Sequence, residues 1–235
     1  MIDVARSADP QVRAILARHA KVSVVEEGPH GGIDFAQGDW HRSVLAGDPS
    51  APICGLVELM DNNPLVCADV ASVPSVAGTL ALIALGPLAW AGMITEPPAF
   101  TCFGADEADV SPWLATAGWH EGVTTHFGES ADPNVLSAVA MAAIRTPEDW
   151  TEIDDVFDER YARSFFVRRD EASEWSFELV RNQPFATYRL RYTPDEPTSL
   201  LTISVLADRN GKCGAAQVVH CMNVMAGFEE SLGLD

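Results

Sequence analysis

The chain has 235 residues, enough to bury a substantial core as one large domain or two small ones. Its 34 acidic side chains outweigh 15 lysines and arginines, giving a formal charge of -19. That balance argues against a nucleic-acid partner, because phosphate backbones are gripped by clustered Lys and Arg. The same charge favours solubility and weakly repels an anionic membrane.

Asp9 to Ala20 reads as a short helix feeding a strand over Lys21 to Val25, after which the pattern dissolves into the glycine-rich Gly28 to Gly32. The N-terminus is polar and lacks a basic region followed by an apolar run, so no signal peptide is expected. Cys54, Cys67, Cys102, Cys213 and Cys221 include no CxxC pair. They point to reduced thiols in a cytoplasmic setting, with no disulfide framework and no metal site. Val70 to Ile94 holds no charged residue and is long enough to cross a bilayer. Pro74, Gly78, Gly86, Pro87 and Gly92 interrupt it, which predicts strand, turn and a buried helix over Ser75 to Met93.

Ala99 to Phe103 is a short strand by pattern, and Asn134 to Arg145 is compatible with strand or helix. Thr146-Pro147-Glu148-Asp149 has the composition of a helix start, with Thr146 as N-cap. Trp150, Ile153 and Phe157 mark the buried face of that helix. Phe165 to Arg169, Phe177 to Val180, Thr187 to Thr193 and Leu200 to Ala207 read as strands, and the alternation in TYRLRYT predicts one exposed sheet face. The fold class that follows is α/β (α+β), with a mixed, largely antiparallel sheet near the C-terminus.

Gly211 to Leu234, GKCGAAQVVHCMNVMAGFEESLGL, combines small residues, one of the chain's two lysines (Lys212) and a polar line of Gln217, His220 and Asn223. A helix over 211–227 follows. Two roles are open to it: close backbone approach to a ligand or sheet, or tight packing with its polar groups satisfied structurally.

These residues resemble the ending of the N-acetyl-gamma-glutamyl-phosphate reductases, relatives of aspartate-semialdehyde dehydrogenase. The similarity is carried by Lys212, Ala215, Gln217, Met222, Asn223, Met225, Gly227 and Leu232-Gly233-Leu234. Three further segments match in order: CGLVEL (Cys54 to Leu59), ASVPS (Ala71 to Ser75) with the apolar helix after it, and RYARSFFVR (Arg160 to Arg168). The resemblance covers roughly residues 50 to 235. It implies a remnant of the nucleotide-binding domain over 1–50 and a semialdehyde-dehydrogenase-type substrate and dimerisation domain over 51–235.

Such enzymes reduce an acyl phosphate with NADPH through a thioester on cysteine, assisted by a histidine. Ser72 stands at the nucleophile position, and without an adjacent base its hydroxyl is a poor nucleophile. Ser72 is open to two readings, substrate contact or cap of the following helix. The segment matching the catalytic histidine, Ala108 to Trp113, contains none. No GxGxxG turn occurs, so no cofactor is expected.

By the resemblance, His126 and Asp132 fall in a loop lining the substrate pocket, and a His/carboxylate pair is able to transfer protons without a redox cofactor. The alternative is a structural loop histidine and a turn-forming aspartate before Pro133. Lys212, Gln217 and His220 are candidates for substrate binding. In the family the last helix packs on the nucleotide domain, so its truncation predicts that Met222, Val224 and Met225 lose cover and recruit a second copy or another polypeptide. Two functions result: non-redox proton transfer (cyclisation or elimination) on a small-molecule, acylated or carrier-linked amino acid in secondary metabolism, or a non-catalytic scaffold subunit.

Overall fold

The structure is a computed structural model and describes residues 1–60 and 62–234. It opens with β1 (Ile2–Ser7), α1 (Pro10–Leu16) and β2 (Val22–Glu27), the two strands parallel with Ile2 opposite Val22. Proline at the first turn suits α1, because that turn has no N–H acceptor within the helix. The Asp9 carboxylate caps α1 by accepting the Gln11 N–H at 2.7 Å. A hairpin follows, β3 (Ile33–Gln37) and β4 (Trp40–Ala46), turned at Gly38 with φ of 60°. After α2 (Asn62–Cys67), β5 (Val70–Val73) completes a five-stranded sheet in the order β2-β1-β3-β4-β5.

Next come α3 (Val76–Trp90), β6 (Ala99–Phe103), α4 (Ser111–Thr116), β7 (Thr124–Gly128), β8 (Val135–Arg145) and α5 (Thr151–Tyr161). They lead to β9 (Val167–Arg169), β10 (Ala186–Thr193), β11 (Thr198–Asp208) and α6 (Ala215–Ala226). The second sheet runs β7-β6-β8-β11-β10-β9, antiparallel at its centre and parallel at both edges. The molecule is thus an α+β fold with two mixed sheets and six α-helices among the described residues.

Two hydrophobic cores follow the two sheets. One unites α3, α4 and α5 with the inner face of the second sheet. α3 is apolar all round and buried from Ala77 to Ala89, as expected for a helix between layers. No helix is long and apolar enough to cross a membrane among the described residues. The other core places α1, α2 and α6 against the first sheet.

That packing overturns the expectation that truncation uncovers α6. Met222, Val224 and Met225 are buried within the chain, because the first sheet is complete enough to seat α6 and α1 and α2 flank it. Arg42 secures the same arrangement. Its guanidinium donates to Leu65 O, Val66 O, Ala68 O and Met225 O, so one cation meets the carbonyl ends of α2 and α6.

Several local expectations are corrected. Asn134 to Arg145 resolves as the strand β8, its burial alternating between faces. Phe177–Leu179 is a 3-10 turn instead of a strand, and with Trp175 it folds over Val135 and Leu206 at one end of the second sheet. α5 starts at Thr151, where Asp149 accepts the Thr151 N–H at 3.0 Å. Thr146 is drawn away from capping because its hydroxyl donates to Asp195 O at 2.7 Å.

Candidate functional site

The sequence-predicted residues separate into three places. His126 lies on the edge strand β7, exposed, opposite Thr101 of β6. Asp132 sits in the loop before β8, where it accepts the Asn134 N–H at 2.8 Å and pairs with Arg181 at 2.7 Å. Those contacts hold its carboxyl below the usual range, the Asn134 N–H foremost. No hydrogen bond or ion pair joins His126 to Asp132 among the described residues. The turn-forming reading of Asp132 is therefore the one its contacts support.

Ser72 is fully buried in β5. Its hydroxyl accepts the Asp48 N–H at 3.1 Å and donates to Val73 O at 3.3 Å. The capping reading does not stand: the cap of α3 is Ser75, which accepts the Gly78 N–H at 3.2 Å, while the Ser72 hydroxyl is engaged with the backbone of Asp48 and Val73.

Lys212 and His220 are fully buried, in a chain of ionisable groups. Lys212, 0% exposed, donates to both oxygens of Glu58 at 2.6 and 2.9 Å, and the Glu58 side chain is only 4% exposed. Ser164 donates to the same carboxylate at 3.3 Å. Beyond Lys212, His220 Nδ1 lies 3.5 Å from Nζ, and His220 Nε2 lies 3.0 Å from the half-exposed Glu230. Phe166 stacks on the imidazole, centroids 4.0 Å apart, and closes the group from solvent.

The charge states follow from these neighbours. Burial pushes the Glu58 carboxyl up, but attraction to Lys212 and the hydrogen bonds it accepts outweigh burial and hold it ionised, below its usual value. Burial and then the neighbouring Lys212 depress His220, with Glu230 opposing. His220 is therefore neutral near pH 7, Nδ1 accepting from Lys212 and Nε2–H donating to Glu230. Every charge here has a partner inside the chain, so Lys212 is not free to take a substrate anion as the sequence suggested.

Asn223 and Gln217 complete the polar line of α6. Asn223 donates to Glu230 O and Leu232 O and accepts from His19 at 3.0 Å, tying the C-terminal segment and α1 to the helix. Gln217, 1% exposed, donates through Nε2 to Thr79 Oγ1 at 2.9 Å and Pro74 O at 3.4 Å. Its Oε1 is buried with no hydrogen-bond partner among the described residues.

The β1–α1 turn, where a dinucleotide fold seats pyrophosphate on a helix N-terminus, is filled by the Asp9 carboxylate. Arg13 closes it further by donating to Ser7 O and Ala8 O at 2.7 and 2.8 Å. His30 pairs with Asp34 at 3.0 Å and accepts the Gly32 N–H, bracing a loop. All five cysteines are free, and burial pushes the Cys102 and Cys221 thiols up to about 11 and about 12. Burial raises Cys213 as well. The described residues include no cluster suited to a metal ion.

Sequence reasoning missed Glu58, 154 residues from Lys212 in the chain, and Glu230. The only signal for Glu58 was an acid inside the apolar segment CGLVEL. It also missed the outer face of the second sheet. Strand register puts His126, Thr101, Val139, Ser204 and Arg189 in one row across it, and Thr124, Ala99, Met141, Thr202 and Arg191 in the next. Met141 and Leu200 are 46% and 39% exposed there. The acidic strand residue on this face, Asp208 at the end of β11, is buried and accepts from the Asn182, Asn210 and Gly211 N–H groups.

Comparison with known protein families finds no family model that matches the chain, and no curated protein matches it. The reductase resemblance rests on the quoted residues themselves.

Proposed function

We propose that the chain is an NADPH-independent, non-redox relative of the acyl-phosphate reductases that works as a non-catalytic subunit, with a second copy covering the outer face of its second sheet. The observation that carries this reading is that the strand carboxylate on that face, Asp208, is buried and hydrogen-bonded within the chain, in a protein of charge -19. Two such acidic copies repel through most of their surface, and they meet at least cost where neither buries an unpaired carboxylate. Strand spacing and rise give the face a footprint of roughly 600 Å², close to the ~800 Å² per partner of a standard interface. Two sheets packing face to face around a two-fold axis fit that area.

The filled β1–α1 turn supports independence from NADPH. The proton-transfer reading is less well supported, since Asp132 is paired with Arg181 and the Asn134 N–H instead of with His126. A role in amino-acid-derived or secondary metabolism follows from the resemblance alone. Sedimentation equilibrium tests the assembly: the wild-type chain is expected at twice the monomer mass and Met141→Glu at monomer mass with unchanged circular dichroism. A wild-type monomer at every concentration would remove the basis of the reading.

A further inference from the structure

Residues 228–234 follow α6 and meet both buried histidines of the chain, His19 and His220. We propose that this segment is an acid-released strap: it is closed while both imidazoles are neutral and opens, ahead of the rest of the fold, when they take up protons. The proposal is independent of whether the chain self-associates.

Asn223 ties the strap down. Its side-chain nitrogen donates to Glu230 O at 3.0 Å and Leu232 O at 2.9 Å, and its backbone carbonyl accepts the Phe228 N–H at 2.9 Å. With both N–H groups used, its Oδ1 is an acceptor, so His19 Nε2, 3.0 Å away, carries the proton. His19 Nδ1 then accepts the Lys21 N–H at 3.3 Å. His220 repeats the pattern. The Glu230 carboxylate, 3.0 Å from Nε2, places the proton there, and Nδ1 faces the Lys212 ammonium at 3.5 Å.

Each ring thus turns its one basic nitrogen toward an N–H donor, and a second proton would set donor against donor. The surroundings do not reverse this. Around His220 stand Lys212, Phe166 and Glu230, with Glu58 beyond Lys212. Both carboxylates oppose burial and Lys212 without overcoming them. Around His19 stand Asn223, Phe228 and Gly233, and no ion pair reaches the ring among the described residues. Gly233 lies so close that a Cβ there would fall 2.7 Å from His19 Cδ2.

Lifting residues 228–234 takes Phe228 and Gly233 off His19 and Glu230 off His220, so water reaches the rings and each regains its ordinary affinity for a proton. Both pKa values lie below 6.5 in the closed form. The closed strap is therefore favoured above pH 6.5, and opening gains as pH falls through that value, by up to about tenfold per pH unit for each histidine. Between pH 7.5 and 5.5 two histidines favour opening by about 100-fold and one by about tenfold. Glu230, held below its usual range chiefly by His220, adds to release only at lower pH.

Hydrogen–deuterium exchange of the intact chain at pH 7.5 and 5.5, corrected for the intrinsic pH dependence of exchange, tests this. The amides of Phe228, Leu232 and Leu234 are hydrogen-bonded in the closed strap. Their protection is expected to fall about 100-fold between the two pH values and, at pH 5.5, to lie at least about tenfold below that of α3 amides. His19→Gln and His220→Gln should each cut the pH response to about tenfold. Should neither variant fold, the wild-type comparison of strap with α3 still decides. Strap protection that does not change with pH, strap amides that exchange only together with those of α3, or a full 100-fold response in both single variants would each overturn the proposal.

Discussion

Lys212 is wholly buried, and Glu58 is the full countercharge it meets. Removing one member of a buried pair leaves the other uncompensated, so Lys212→Met is expected to destabilise the fold by about 3–5 kcal/mol. Combining it with Glu58→Gln should cost less than the sum of the single changes, which urea unfolding of the three variants measures. His220 and His19 both have folded pKa values below the ordinary 6.5, burial being the largest cause for each. The unfolded chain therefore binds more protons below pH 6.5, and stability falls as pH drops from that point. His220→Gln should shrink this loss between pH 6.5 and 5 in thermal melts. At this scale the polar line of α6 was legible because it interrupts apolar turns. Its partner Glu58 was not, since nothing local marks an ion pair formed across so much chain.

Among the elements, α3 shows how packing settles what pattern leaves open. Its uncharged, apolar run was readable as a buried helix because prolines and glycines punctuate the segment around it. The reason for Gly78 appears only in three dimensions: a Cβ there would fall 2.4 Å from Trp113 Cδ1, so the glycine lets α4 close against α3. Gly78→Ala is expected to cost about 1–3 kcal/mol by overpacking, read as a lower denaturation midpoint with unchanged slope. The strand β6 was legible at its true ends, Ala99 and Phe103. Phe177–Leu179 was misread, because apolar residues alternating about Glu178 mark burial without distinguishing a strand from a turn folded over a sheet end.

For the whole molecule, α6 reverses the expected location of contact with other chains. Its apolar side is covered by the chain's own first sheet, while Met141 and Leu200 stand exposed on the outer face of the second sheet. The sequence showed that face in outline through the alternation of TYRLRYT, but register alone reveals that His126, Val139, Met141 and Leu200 share it. Oxidative footprinting of the methionines tests the central claim most directly, because Met141 is 46% exposed in the single chain whereas Met93, Met222 and Met225 are buried. The account predicts that Met141 is protected at high protein concentration and becomes reactive on dilution, while the buried methionines stay unreactive throughout. Equal oxidation of Met141 at all concentrations, in protein that remains associated, would contradict it.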